Sequence, residues 1–342
     1  MKKRLTAAAL SLSLLLTGCA SLLERDYVDI TNHNATITAE GDPSVLRAES
    51  YQELVNALMF FITQQTETGT VRLYSDAGTV ESDLEAACLE VVQEDPLGAY
   101  SVDYIKYSVK SIVTYSEADV QITYRRTPEQ IDSIVSATGA IAIRSELAEA
   151  LSAFAPELVL RIGFFDKDED YIRSLCREAF LSTPAAALTM PQVSVSIYPD
   201  SGRQRIVELI LTYDLSLQEL QSRRELLAQE CEKLLMTLSL SEPKQSIPIA
   251  AQMVLDRTEY DVQGGSTAYH ALVDGRADSL GLSLAVACLY ERLGIDFKIV
   301  EGSLDGEPHC WLMVFSDDGW VHLDPSVSAS FYSDDQIGRA HV

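Results

Sequence analysis

The sequence predicts an α+β fold built around a duplicated module, and three observations predict it. Short segments with a period of two read as half-buried strands, as in Val193, Val195 and Ile197 alternating with Ser194, Ser196 and Tyr198. Longer segments with helical spacing of apolar residues lie between them. Pieces of the middle of the chain also recur. Val71-Arg72-Leu73-Tyr74 is similar to Leu160-Arg161-Ile162-Gly163, and Ile122-Thr123-Tyr124 to Leu211-Thr212-Tyr213, both 89 residues apart. Cys88 and Cys176 are 88 apart, and Glu53-Leu54 and Glu146-Leu147 are 93 apart, so a small insertion or deletion separates the copies.

Each copy is expected to run helix, strand, helix, strand, strand, helix. In the first, residues 49–135, helices fall at about 49–65 and 81–93 and strands at 70–75, 103–113 and 119–125. A closing helix starts near Pro128, which suits a first turn where the missing N–H costs nothing. In the second, residues 136–237, the helices are 142–154 and 168–179 and the strands 157–164, 191–198 and 204–213. A long helix over 216–237 closes it. Pro199-Asp200-Ser201-Gly202 signals a hairpin turn, and Ser116-Glu117-Ala118-Asp119 a weaker one. This order puts helices on one face of the strands, close to a ferredoxin-like arrangement. The duplicated region has no histidine, which argues against a histidine-based active site or metal centre there. Residues 238–246 contain Pro243 and read as a linker.

The start of the chain reads as an export signal. Lys2, Lys3 and Arg4 precede the mostly apolar run Leu5–Leu16, too short to span a membrane. Leu16-Thr17-Gly18-Cys19 resembles the lipobox of bacterial lipoproteins. That resemblance implies a signal peptide over 1–18 and a diacylated Cys19, anchored to the membrane by two acyl chains. It places the protein in the cell envelope, outside the cytoplasm. Residues 19–48 then read as lipidated cysteine and tether. At the other end, Ile337–Val342 reads as a translated sequencing adapter and is set aside.

The 342 residues carry 26 basic and 51 acidic side chains, a formal charge of −25. Such a surface repels nucleic acid and suits solubility outside the cell. Cys88, Cys176, Cys231, Cys288 and Cys310 match no zinc or disulfide spacing and are expected mostly as core thiols. No cofactor is expected.

Residues 247–336 form the expected third domain, and four of the five histidines, His270, His309, His322 and His341, lie after residue 269. Asp274-Gly275-Arg276-Ala277-Asp278-Ser279 leads into an apolar helix over about 279–293 that Gly294 stops. A strand from Phe297 follows, then Pro308-His309-Cys310-Trp311, then Gly319-Trp320-Val321-His322-Leu323-Asp324-Pro325. These motifs, with Tyr260-Asp261 upstream, resemble the transglutaminase-like, papain-related family over about a quarter of the chain. The resemblance maps His309 and Asp324 onto the family's histidine and aspartate and Ser279 onto its nucleophilic cysteine. Ala277 stands where the family has glycine.

A thiol at a helix N-terminus beside an imidazole can ionise before attack, whereas an alcohol needs its proton removed during attack. Cys288 lies nine residues along the helix and Cys310 adjoins His309 on a strand, so neither replaces the lost thiol. His322 and His270 are expected in packing or hydrogen-bonding roles, Trp311 on the face of His309, and Trp320 over the core. Three readings follow. The domain is a degenerate one that binds a peptide or cell-wall component; or it is a hydrolase or acyltransferase using Ser279, His309 and Asp324; or binding belongs to the duplicated region.

Overall fold

The computed structural model describes residues 42–74, 78–238 and 246–333. The expected signal peptide, Cys19, most of the tether, most of the linker and residues 337–342 lie outside the described residues.

The fold is α+β. One end of the expected tether needs correction. Val45–Ala48 is a strand, β1, with Leu46 and Ala48 fully buried. A turn at Asp42, whose carboxylate accepts from the Ser44 N–H at 2.9 Å, starts it. Then follow α1 (Tyr51–Thr63), β2 (Thr68–Leu73), α2 (Val80–Gln93), a short α3 (Pro96–Ser101), β3 (Val102–Ile112), β4 (Tyr115–Tyr124) and α4 (Pro128–Asp132). The sheet has the order β1-β2-β4-β3, with β1 and β2 parallel.

The second set repeats the plan: β5 (Val135–Ala137), α5 (Gly139–Ser152), β6 (Glu157–Ile162), α6 (Glu169–Ser182), β7 (Gln192–Tyr198), β8 (Arg205–Thr212) and α7 (Leu217–Leu235). Its order is β5-β6-β8-β7, again with the first two strands parallel. Each set therefore opens on a strand that the expected helix-first order omits. The registers also correspond. Val71 faces Ala118 in the first sheet, and Leu160 faces Val207 in the second, both 89 residues on. A parallel pair needs a crossover, and α1 and α5 supply it.

The described residues divide into two compact units. The first holds those up to Val91 together with Tyr104–Thr123. Its core sets Leu54, Leu58, Phe61 and Ile62 of α1 with Val71 and Leu73 of β2 and Ala118, Val120 and Ile122 of β4. Gly69 brings β2 close to α1, because a Cβ there would lie 2.3 Å from the Phe61 ring.

The second unit holds Val92–Asp103 and the described residues from Tyr124 onward. It includes α8 (Ser246–Leu255), β9 (Glu259–Gly265), a π-helical turn (His270–Asp274), β10 (Arg276–Ala277) and α9 (Ser279–Leu293). A last sheet has the order β11 (Phe297–Leu304), β12 (Glu307–Ser316), β13 (Gly319–Leu323) and β14 (Phe331–Tyr332). One hydrophobic cluster runs from Ala137 to Leu323, so the second repeat and the C-terminal region share a core. Leu220, Leu227, Cys231 and Leu234 form the buried stripe of α7. α9 is buried on every side from Ser279 to Tyr290, which makes it the central element. The Tyr290 hydroxyl donates to the Ile247 carbonyl at 2.8 Å and ties α8 to it. Trp320 departs from expectation. It is exposed at the sheet surface, edge-on to Phe315 at 5.5 Å with the Lys298 ammonium over its ring.

Candidate active site

Three elements position the site. Asp278 caps α9, its Oδ1 accepting from the Gly281 N–H at 2.8 Å, and Ser279 is the first helical residue. The second Asp278 oxygen accepts from the Ser266 hydroxyl. The negative charge beside Ser279 is thus spent on the cap. The helix start is packed against the β9–β10 pair with little tolerance: a Cβ on Gly281 would lie 2.5 Å from the Gly265 carbonyl and 2.8 Å from the Ala277 Cβ. This explains the small residues at 277 and 281, while the His270 ring, 2.1 Å from where a Cβ on Gly265 would lie, accounts for the glycine at 265.

β12 crosses the same end of α9. The Cys310 N–H donates to Ser279 Oγ at 3.1 Å, and the Cys310 carbonyl accepts from Ser283 Oγ at 3.3 Å. Ser279 and Ser283, one turn apart, grip both backbone groups of a single strand residue. Ser279 is 7 % exposed, so its hydroxyl is a buried polar group satisfied by that bond.

His309, next to Cys310, is buried at 4 % exposure and pairs through Nε2 with Asp324 Oδ2 at 2.8 Å. A neutral imidazole that donates from Nε2 has Nδ1 as its basic nitrogen. Asp324 follows β13, and its Oδ1 accepts from the Ser326 hydroxyl at 2.7 Å and the Ser326 N–H at 3.0 Å. The Ser326 hydroxyl also lies 3.4 Å from His309 Nε2. Burial pushes the Asp324 carboxyl up, but the bonds from His309 and Ser326 outweigh it and hold the group below the usual carboxylate range.

Trp311 stacks on His309, ring centres 6.4 Å apart and planes 21° apart, and its Nε1–H donates to His322 Nδ1 at 2.9 Å. His322 therefore holds the tryptophan that backs His309. His270 pairs with Thr267 Oγ1 at 2.7 Å in a structural role. Burial pushes the Tyr260 hydroxyl up, and the Asp324 and Asp278 carboxylates push it further. Burial pushes the Cys310 thiol up to about 12, so it is no substitute nucleophile. Cys88, Cys176, Cys231 and Cys288 are buried. Cys19 lies outside the described residues. Ser326 was not singled out in the sequence; its place two residues after Asp324, where a serine readily closes a turn on an aspartate, is the signal that could have found it.

Residues 236–325 match the model of the transglutaminase-like superfamily. The C-terminal domain is transglutaminase-like. The match contains Ser279, His309 and Asp324 of the transglutaminase-like domain. Solved structures similar to the chain include a TGase at 15% identity and a TM-score of 0.29, with 68% of each chain covered. A chain described as a cysteine protease from Cytophaga hutchinsonii is 10% identical at a TM-score of 0.26, over 40% of this chain and 62% of that one. A chain described as a protease from Parabacteroides distasonis is 10% identical at a TM-score of 0.22, over 76% of this chain and 40% of that one. None of the curated proteins matches this chain.

Proposed function

We propose that this protein is a cell-envelope lipoprotein, anchored through Cys19, whose transglutaminase-like domain binds a peptide or a peptide-bearing cell-wall component without cleaving it. One observation carries the non-catalytic part. Ser279 Oγ accepts the Cys310 N–H and so serves as a buried link between helix and strand. An alcohol in that position starts un-ionised, and the bond it accepts draws electron density from the oxygen that would have to attack. Envelope location is supported by the basic start, the short apolar run and Leu16-Thr17-Gly18-Cys19.

One feature favours a second reading. His309 and Asp324 keep the pairing that a base and its orienting carboxylate need, so a serine acyl-enzyme is the competitor. The two separate by labelling the full chain, carrying Cys19→Ser to block acylation, with a fluorophosphonate and with a thiol-directed peptidyl electrophile. The binding reading expects no adduct on Ser279, and a Ser279→Cys variant that takes the thiol probe at residue 279. A Ser279 adduct that disappears in Ser279→Ala would establish the acyl-enzyme instead.

A further inference from the structure

We infer that the hairpin joining β3 to β4 is a finger that rests in a lipid surface, with its tip residues Ile112 and Val113 entering the apolar edge of the bilayer. The turn falls at Val113-Thr114 and not at the expected Ser116-Glu117-Ala118-Asp119, which lies inside β4. A two-residue hairpin turn favours Asn, Asp and Gly, which accept its backbone and face water. Here the tip reads Ile112-Val113-Thr114-Tyr115, β-branched or aromatic throughout. Val113 is fully exposed and Ile112 is 43 % exposed. The second repeat supplies a comparison within the same chain. Its β7 and β8 are joined by Pro199-Asp200-Ser201-Gly202-Arg203-Gln204, a polar connection rich in turn residues. One position of the duplicated module thus carries turn residues in one copy and apolar residues in the other, so the fold itself does not require an apolar tip.

Behind the tip, the sheet carries side chains suited to a headgroup layer. The Tyr74 and Tyr115 ring centres are 5.3 Å apart. The Arg47 guanidinium sits over the Tyr74 ring at 4.3 Å, and that of Arg72 over the Tyr115 ring at 5.5 Å. Rings with an apolar body and a polar end, beside cations on long stems, settle where hydrocarbon meets headgroups. Arg47, Arg72 and Lys110 pair with Glu49, Glu117 and Asp119, so these charges cancel on a chain whose formal charge is −25. This end of the sheet can therefore approach an anionic membrane that repels the acidic surface as a whole. The finger is also within reach of the anchor. Val45 is level with Thr70, and Thr70 with Asp119, from which β4 leads back about 20 Å to Val113. Two aliphatic side chains are too few to hold a protein on a membrane alone. On a chain already anchored, they fix which end of the first unit faces the lipid.

The inference rests on the envelope location proposed above, and its test holds the protein on lipid by other means. The chain from residue 20, with a hexahistidine tag in place of Cys19, is bound to vesicles of equal parts phosphatidylcholine and phosphatidylglycerol that contain a nickel-chelating lipid. An environment-sensitive fluorophore is attached at Thr114→Cys on the tip. In a second protein it is attached at Gln64→Cys, exposed just after α1 and near the other end of β2. Cys88, Cys176, Cys231 and Cys288 are buried and Cys310 half-buried, and the unsubstituted chain treated alike sets the background. The expected result is a blue shift at residue 114, and loss of that emission when the acyl chains are brominated, with neither at residue 64. Val113→Ser added to Thr114→Cys should lower the ratio of lipid-buried to free fluorophore about tenfold, and should leave the melting midpoint in place because Val113 is fully exposed. Equal responses at residues 114 and 64, or a response that Val113→Ser does not change, would overturn the inference. So would a blue shift that grows with protein concentration without vesicles, which would assign the tip to a second copy of the chain. Protein recovered from the envelope fraction without acyl chains on Cys19 would overturn the anchored location instead, and leave the vesicle result standing.

Discussion

Asp324 accepts on both carboxylate oxygens, from His309 at Oδ2 and from the Ser326 hydroxyl and N–H at Oδ1. This arrangement has a measurable acid signature. A carboxylate depressed in the folded state contributes stability that is complete above its unfolded pKa, about 3.9, and is lost as the pH falls through the folded value. Ser326→Ala removes the hydroxyl bond, and should cost about 1 kcal/mol at neutral pH and move the acid limb of a stability–pH profile upward. A profile superimposable on the parent's would show that Ser326 does not hold the carboxylate. Asp324→Asn should cost about 1.5–3 kcal/mol, the worth of a hydrogen bond to a charged group, and should flatten that limb, as followed by urea titration at a series of pH values. The positions of Ser279, His309 and Asp324 were legible because each sits in a short ordered motif. The role of Ser279 as acceptor for Cys310 was not, since it depends on how β12 crosses α9, and no local pattern records a crossing.

At the scale of elements, α9 is held at its start by the Asp278 cap and by close packing at Gly281. Asp278→Ala should destabilise the protein by about 1 kcal/mol, whereas Asp278→Asn, which keeps an acceptor oxygen, should cost much less; thermal melts of the two compare them. Gly281→Ala should cost about 1–3 kcal/mol by forcing Gly265 and Ala277 apart, and a melting midpoint equal to the parent's would contradict the packing. Most helices and long strands were readable from period and turn residues. The helix expected over 142–154 is Gly139–Ser152, and the strand expected over 204–213 is Arg205–Thr212. β1 and β5 were not readable. Val45–Ala48 and Val135–Ala137 are four and three residues long, too short to show a period, and they become strands by pairing in parallel with β2 and β6. Trp320 misled for a related reason, because its size suggested the core while its register opposite Phe315 places it on the sheet surface.

For the molecule as a whole, the shared core of the second unit means that the C-terminal domain does not end where the linker begins. Leu227 of α7 belongs to the same cluster as Leu284 of α9 and Leu312 of β12. Both tryptophans of the chain, Trp311 and Trp320, lie in the C-terminal sheet. Leu227→Ala should therefore lower the unfolding free energy reported by tryptophan fluorescence by about 2–5 kcal/mol, although it lies in the second repeat. An unshifted tryptophan transition would mean that the two parts unfold separately. β1 also bears on how force enters the protein. Under the anchored reading, the chain from Cys19 to Val45 can extend at most about 90 Å, which bounds how far the body can drift from the membrane. At the end of that leash the pull enters at β1, which lies at the sheet edge with its whole length paired to β2. Tension directed along the strand loads its ladder bonds together in shear rather than peeling them one at a time.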